Sequence, residues 1–414
     1  MNWELFKDIL SIDSTSGKER DMALWLSDHL EAPSKELMEV GDGTLNLFLK
    51  WGTPSVVFCT HMDTVPPYIA PEFPELQEFS EEGPFGGTPL ATLAPAPPKF
   101  EGGSAPLLSP CGSRPISPQD KPSDPASAVR SDERIESLCI SGRGSCDAKG
   151  QIFAMYTACK ELEANGCTGF GLLILAGEET GSWGAKAFSK TGFEAPFLIV
   201  GEPTDNKMVS AAKGTLSYDL KFTGEAFHSG YPQYGTSAVE LFNQFYNALK
   251  AVEWGLDPEL GETTWNIGLL HSDNPQNILS PELTCRLYFR TTFLSHQAVQ
   301  TWMAGAPEAL SSALLRNPVR ANAPERASAP LLTVTARGGD VPARYVTLPG
   351  FESAPVAFGS DAPHLTGFGH KIICGPGSIT VAHRDNEHVL VADLEKAVEQ
   401  YVKMCRFLQN IDNK

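Results

Sequence analysis

The sequence lacks the features that mark membrane, exported and nucleic-acid-binding proteins. No apolar run approaches the ~20 residues that a membrane-spanning helix needs, and no basic segment followed by an apolar stretch opens the chain, which predicts no signal peptide. Basic residues are scarce, with 32 Lys and Arg against 50 Asp and Glu and a formal net charge of -18. This charge argues against binding to phosphate backbones. We expect a cytoplasmic protein that binds neither membranes nor nucleic acids.

Cysteine pairs with the spacing of metal or redox motifs are also missing. The nine cysteines are scattered and none forms a Cys-x-x-Cys pair, which disfavours a zinc finger and a disulfide framework. Cys59 and Cys285 lie in strand-like runs and are expected to be buried thiols, as in a reducing compartment. Apolar residues make up 42% and charged residues 20% of the 414 residues, which indicates a globular protein with room for two or three domains.

Three patterns divide the chain. In residues 1–212 strand-like and helical patterns alternate, which predicts an α/β domain with a mostly parallel sheet sandwiched by helices. Residues 213–340 show the order β-α-β-β-α-β, typical of a small α+β domain with helices on one face of an antiparallel sheet. Residues 341–414 return to the first pattern. The middle domain is therefore predicted to be inserted into the first, as a lid or a dimerisation arm.

Two segments have the composition of loops. Residues 70–134 are rich in Pro and Ser and cannot bury enough apolar surface to order themselves, so we predict a disordered or loosely tethered surface insertion. Residues 317–329 are rich in Ala, Pro and Arg and are predicted to form a lengthened loop.

A histidine and an aspartate follow the apolar run 56–59. In parallel sheets ligands bind beyond the carboxyl ends of the strands, and the period of a strand keeps His61 and Asp63 on one side. His61 is thus a candidate metal ligand whose free ring N–H the Asp63 carboxylate accepts. The alternative is a simple hydrogen-bonded pair.

A glycine-rich turn, residues 142–150, leads into an amphipathic helix. Its glycine spacing fits neither a Walker loop nor a dinucleotide fingerprint, and Asp147 would repel phosphate. Asp147 is either the N-cap of the helix or a carboxylate that bridges two cations.

Three further carboxylates end apolar runs. Glu178 and Glu179 are adjacent and repel each other unless cations or raised pKa values relieve them, so one can ligate while the other acts as general base. Their alternative is a solvated acidic loop. Glu202 follows the run 197–201, and the Pro203-Thr204 turn after it fixes its direction.

One of four C-terminal histidines completes the set. His383 follows a predicted strand and a Gly-Pro-Gly turn, whereas His364, His370 and His388 lack such a rigid approach. Two histidines with three carboxylates suit Zn²⁺, with Co²⁺ or Mn²⁺ as substitutes. A bridging carboxylate implies two metals, roughly 3.5–4 Å apart.

The motifs resemble those of the acetylornithine deacetylase / succinyl-diaminopimelate desuccinylase / glutamate carboxypeptidase family of co-catalytic zinc metallohydrolases. They stand in the family's order along nearly the whole chain: His61-Met-Asp-Thr-Val-Pro, Gly142-Arg-Gly-Ser-Cys-Asp-Ala-Lys-Gly, Gly177-Glu-Glu-Thr-Gly, Gly201-Glu-Pro-Thr and Ala382-His-Arg-Asp-Asn-Glu-His. The resemblance implies a di-zinc exopeptidase-like α/β fold with a ferredoxin-like lid domain and two Zn²⁺ ions per subunit. Unlike the family, which has a short hairpin there, this chain carries the Pro-rich insertion between its first two motifs.

The resemblance also implies a role for each site residue. One metal would be held by His61 and Glu202 and the other by Glu179 and His383. Three more residues complete the centre: Asp147 as the bridge, Asp63 as the residue that orients His61, and Glu178 as the general base.

The family places residues of its lid domain at the active site, in several members from a dimer partner. The matching residues here are His228, which would stabilise the oxyanion, Asn277, and Arg290, which would clamp a substrate carboxylate. We accordingly expect a homodimer. The alternatives are a surface histidine and, for Arg290, a cross-strand ion pair.

The expected activity is hydrolysis of the amide of N-acyl amino acids. The motifs at His228 and His383 look most like those of acetylornithine deacetylases, so an N-acetylornithine-type substrate comes first and a dipeptide or glutamate-type carboxypeptidase substrate second. The hypothesis from a different class is a catalytically silent relative that binds a ligand or partner. The sequence retains all of the proposed metal ligands and Glu178, which disfavours the hypothesis of a silent relative.

Overall fold

A computed structural model describes residues 1–41, 43–74, 138–315 and 330–412. Most of the predicted insertion 70–134 and the predicted loop 317–329 lie outside the described residues. By the density of its internal contacts the described chain divides into two units. The first comprises Met1–Met208, Leu348–Phe351 and Ser360–Lys414, and the second comprises Val209–Thr347 and Glu352–Gly359.

The first unit contains the longest sheet and the C-terminal helix. Its strands are β1 (Ser34–Gly41), β2 (Thr44–Trp51), β3 (Val56–His61), β4 (Cys139–Ser141), β5 (Phe170–Leu175), β6 (Ala195–Val200), β16 (Phe368–Ile373) and β17 (His388–Leu390). Its helices are α1 (Trp3–Ser11), α2 (Glu19–His29), α3 (Lys149–Ala164), α4 (Trp183–Ser189) and α7 (Val391–Asp412).

Six of these strands form one sheet in the order β1-β2-β5-β3-β6-β16. The hairpin β1–β2 and the pair β2–β5 are antiparallel, whereas β5, β3, β6 and β16 run parallel. Every residue of β3 and of β5 is buried, as expected for strands covered on both faces. The α/β fold class with a mostly parallel sheet is confirmed. The parallel order brings the carboxyl ends of β3, β5 and β6 to one edge.

The second unit is built on an antiparallel sheet. Strands β8 (Gly214–Thr223), β11 (Thr264–His271), β12 (Glu282–Thr291) and β13 (Leu332–Gly338) pair in the order β11-β12-β8-β13. Helices α5 (Ala238–Lys250) and α6 (His296–Leu315) pack on it. The shared core includes Phe222, Phe245, Leu287 and Phe289. The order of these elements along the chain is the predicted β-α-β-β-α-β.

The boundaries of this unit differ from the predicted 213–340. The strand β7 (Met208–Ala212) pairs with β14 (Ala343–Arg344) and β15 (Ser353–Val356) in a small three-stranded sheet. These hydrogen bonds tie residues on both sides of the predicted limits to the second unit. A two-residue strand such as β14 has no periodicity that a sequence pattern can detect. The other short pair is β9 (Leu256–Asp257) with β10 (Gly261–Glu262).

Two expectations about composition can be compared with the described residues. Among their helices, none has the length and apolar character needed to cross a bilayer. Cys59 and Cys285 are buried free thiols, as predicted. Cys139, for which we make no separate prediction, is disulfide-bonded.

Candidate metal centre

The end of β3 positions the first predicted ligand. His61 is the last residue of the strand and is almost fully buried. Its Nε2 atom lies 3.1 Å from Oδ1 of Asp147. Its Nδ1 atom lies 3.0 Å from the backbone carbonyl oxygen of Asp63 and 3.5 Å from that residue's carboxylate Oδ1. The nearest group that fixes the ring is thus the carbonyl of Asp63, and the carboxylate is the more distant partner.

The Asp63 carboxylate holds a neighbouring turn. Its Oδ1 accepts the backbone N–H of Glu178 at 3.0 Å and its Oδ2 accepts that of Glu179 at 3.1 Å. Because Asp63 is fully buried, these two bonds satisfy a charge that would otherwise be costly. Asp63 therefore fixes the turn after β5 to the end of β3, in addition to any effect on His61.

Asp147 lies between two histidines. Its Oδ1 faces His61, and its Oδ2 lies 3.3 Å from Nε2 of His383. The residue is 6% exposed. The helix α3 begins at Lys149 after Ala148, and no side chain caps its first turn. The N-cap alternative for Asp147 is therefore wrong.

Glu179 and His383, the two ligand candidates near Oδ2 of Asp147, come from separate loops. Nε2 of His383 lies 2.9 Å from Oε1 of Glu179. His383 has a φ of 62°, a left-handed conformation that is uncommon for a residue with a side chain and is found at functional sites. The loop conformation thereby directs the ring of an exposed residue towards two carboxylates, which the solvated-loop alternative for Glu179 does not explain.

Ligand atoms of five side chains fall into two groups, in each of which they lie within 4.8 Å of one another. One group is His61, Asp147 and Glu202, and the other is Asp147, Glu179 and His383. Oε1 of Glu202 is buried and has no hydrogen-bond partner among the described residues. A buried carboxylate oxygen without a partner is costly, and a cation would satisfy it. The residues present therefore fit a pair of cations that share Asp147.

The electrostatics of the centre reflect crowded, buried carboxylates. Burial raises the pKa values of Glu178 and Glu202 well above the usual range, and nearby His61 offsets this only in part. Burial acts against ionisation of Asp147 too, but hydrogen bonds to His383 and His61 lower its pKa. Burial likewise raises the pKa of Asp361 to about 6. Asp361 is a residue that the sequence motifs did not single out.

The carboxylates around the two histidines favour the charged form of each ring. Hydrogen bonds to Asp147 and Glu179 raise the pKa of His383 to about 10. Burial opposes protonation of His61, but its bonds to Asp147 and Asp63 raise its pKa well above the usual value. A metal binds only the neutral ring. Both protons must therefore leave before the centre can be filled.

This leads to a measurable expectation for cation binding. Zn²⁺ binding to metal-free protein at neutral pH should release protons, and the affinity should fall as the pH is lowered. Calorimetric titration in two buffers that differ in ionisation enthalpy measures the number released. Equal apparent enthalpies in both buffers would contradict the expected protonation states.

Three predicted residues of the second unit occupy two places within it. The exposed residues His228 and Asn277 lie side by side: His228 pairs with Ile278, and the Ser229 N–H donates to the Asn277 carbonyl at 2.9 Å. Arg290 lies near the other end of β12, about 27 Å along the strand from its first residue.

Arg290 has a different partner from the one that its alternative supposes. Its guanidinium lies 5.1 Å from the centre of the Tyr288 ring, and no carboxylate within the described residues forms an ion pair with it. Cross-strand ion pairs in this sheet involve other residues, among them Arg286 with Asp219 at 2.8 Å and Lys221 with Glu282 at 2.7 Å.

Comparison with known proteins gives the family. A model of the peptidase family M20/M25/M40 matches residues 118–406, which is more than half of the chain. The chain belongs to this family. As a member of M20/M25/M40, it is a metal-dependent hydrolase that acts on amide or peptide bonds.

Several individual proteins are similar over almost the whole M20 chain. A "Probable carboxypeptidase" of Aspergillus terreus is 29% identical over 96% of this chain and 84% of its own length. A tripeptidase from Staphylococcus aureus has the same fold, with a TM-score of 0.68 at 16% identity over 98% of this chain and 97% of that one. An M20 family metallo-carboxypeptidase from Sulfolobus solfataricus superimposes with a TM-score of 0.61 at 15% identity, over 98% of both chains.

Proposed function

We propose that this protein hydrolyses the amide bond of short peptides or N-acyl amino acids with two divalent cations, Zn²⁺ in the first place and Co²⁺ or Mn²⁺ as substitutes. The observation that carries the proposal is the pair of three-residue groups that share Asp147. We assign His61 and Glu202 to one cation and Glu179 and His383 to the other.

Glu178 is the group that we assign to proton transfer. When bound, the cations would polarise the substrate carbonyl and lower the pKa of a water molecule. Glu178 accepts a proton from that water as its oxygen attacks the carbonyl carbon, and donates it to the amine nitrogen as the C–N bond breaks. Its raised pKa suits a carboxylate that must hold this proton between the two steps.

The substrate class is narrowed by the relatives and by the motifs. Relatives named carboxypeptidase and tripeptidase favour a short peptide. The motifs around His228 and His383 favour an N-acetylornithine-type substrate, which is our second candidate. Both have an amide next to a free α-carboxylate, which Arg290 would bind in a bidentate pair, while His228 would stabilise the developing oxyanion. A difference of one methylene between two substrates changes the free energy of transition-state binding by only about 1–3 kcal/mol. The choice between the two candidates is therefore made by assay.

The spacing within the second unit supports a homodimer. His228 and Asn277 lie beyond one end of β12 and Arg290 near the other, about 27 Å away. A substrate as small as a dipeptide cannot contact both places on one copy. If both places act on substrate, the two ends come from different copies, as we propose.

The test is an assay of amine release from dipeptides, tripeptides and N-acetyl amino acids. We expect no turnover by metal-stripped protein and recovery on addition of Zn²⁺ or Co²⁺. The best substrate distinguishes a peptidase from a deacetylase. Two bound metals without turnover of any substrate would favour the silent relative, and failure to bind metal would contradict the site itself.

A further inference from the structure

Glu387 is a buried carboxylate to which no step of the proposed reaction gives a role. It lies in the loop that joins His383 to β17, and it is 1% exposed. A carboxylate is almost never fully buried unless it is paired. Its partners therefore indicate what it does.

Among the described residues, all of the hydrogen bonds of the Glu387 side chain lead to the turn that carries Asp147. Its Oε1 accepts the backbone N–H groups of Gly144 at 3.0 Å, Cys146 at 3.1 Å and Asp147 itself at 3.0 Å. Its Oε2 accepts Nη1 of Arg143 at 2.6 Å. The turn thus forms a concavity of N–H groups around a single anion, as such turns do around phosphate or carboxylate.

Arg143 also contributes to this arrangement. It is 1% exposed and also donates to the carbonyl oxygens of Pro67 at 3.1 Å and Arg384 at 3.3 Å. The ion pair is therefore fully buried and shared by three chain segments. Removal of one charge would leave the other buried and unpaired, which is strongly destabilising.

We propose that Glu387 is a positioning residue that fixes the bridging carboxylate Asp147 relative to His383, so that both cations can share it. The inference rests on the metal centre of the proposed function. One loop carries both His383 and Glu387, and the Glu387 carboxylate accepts a hydrogen bond from the backbone N–H of Asp147. A shift of this loop would move the ligands Asp147 and His383 together.

The Glu178–Glu179 turn is held in a comparable way. There the buried carboxylate of Asp63 accepts two backbone N–H groups, one from each glutamate. A carboxylate that accepts hydrogen bonds from the backbone N–H groups of a turn holds the turn in place. The side chains of that turn remain available for other partners. Asp63 and Glu387 thus hold two of the turns that supply acidic residues to the centre in the same way.

Asp257 offers a matched control in the second unit, which contains none of the proposed metal ligands. It is also buried and accepts three backbone N–H groups, from Glu259, Leu260 and Leu294, at 3.0, 3.0 and 3.1 Å. Asp257→Asn thus makes the same chemical change in a comparable cluster. It reports the loss of stability that any such cluster suffers when its charge is removed.

The experiment compares Glu387→Gln, Asp257→Asn and the unaltered protein. Co²⁺ titration followed by visible absorption and by calorimetry gives the number, affinity and geometry of bound ions without an activity assay. We expect Glu387→Gln to lower the affinity for at least one of the two Co²⁺ ions by roughly 10- to 100-fold. The visible absorption spectrum of the bound Co²⁺ should change as well. Asp257→Asn should bind both ions as the unaltered protein does.

Three outcomes separate the inference from the proposed function. Wild-type affinity and spectrum in Glu387→Gln would overturn the positioning role. Failure of the unaltered protein to bind Co²⁺ would contradict the metal centre instead. If Glu387→Gln does not fold, Glu387→Asp decides: it keeps the charge but withdraws it from the amides, so weaker Co²⁺ binding supports the role and unchanged binding refutes it.

Discussion

Replacement of Glu178 by Gln should reduce kcat by about 10²- to 10⁴-fold, the range that general acid–base catalysis contributes, while both cations still bind. Gln has the shape of Glu but cannot accept the proton of an attacking water. Glu178 belongs to neither of the two groups of ligand atoms, so the substitution removes no ligand. Its backbone N–H would still bond to Asp63, which keeps the turn in place.

The measurement pairs steady-state kinetics with metal content for Glu178→Gln and for the adjacent Glu179→Gln. Glu179 lies in one ligand group, so its variant should lose affinity for one cation as well as activity. If Glu178→Gln retained near wild-type kcat, another group would have to be the base. Asp361, whose pKa burial raises to about 6, would be the next to test.

Several proposed site residues were accessible from the sequence because local structure sets their positions. His61 ends β3, Glu178 and Glu179 follow β5, and Glu202 follows β6; these strand ends meet at one edge because the strands run parallel. An apolar run of strand length followed by a polar side chain therefore predicts both the strand and the place of the side chain.

The supporting contacts were not accessible in the same way, because they join residues far apart in the chain. Glu387 belongs to a motif that the sequence displays, but nothing local shows that its carboxylate accepts N–H groups of residues 144–147. Asp63 was expected to orient His61, yet its carboxylate bonds to the amides of Glu178 and Glu179 at 3.0 and 3.1 Å. The sequence shows that a carboxylate stands near a proposed ligand. Tertiary packing decides which backbone N–H groups donate hydrogen bonds to it.

The limits of the second unit were missed for a related reason. Periodicity recovers strands as long as β8 and β12, but β14 has two residues and is specified by its pairing with β7. Such strands are held by the sheet that they join. The core of such a unit is therefore easier to predict than its limits.

Asp147→Asn should have the broadest effect of any single substitution on cation binding. Asp147 is the residue common to both ligand groups, and each of its carboxylate oxygens faces a different histidine. Asparagine keeps one neutral oxygen and replaces the other with a nitrogen that cannot ligate. We expect the affinity for both cations to fall, by more than the roughly 10- to 100-fold typical of residues that only support a ligand, and turnover to be lost.

Comparison with variants of a single group makes the expectation specific. Glu202→Gln and Glu179→Gln each alter one group of ligand atoms. Each variant should therefore lower the affinity for one Co²⁺ ion and leave the affinity for the other nearly unchanged. Calorimetric titration of the three variants with Co²⁺ distinguishes these patterns. If Asp147→Asn weakened only one ion, the two cations would not share this carboxylate, and the assignment of a bridged pair would have to be replaced by two independent sites.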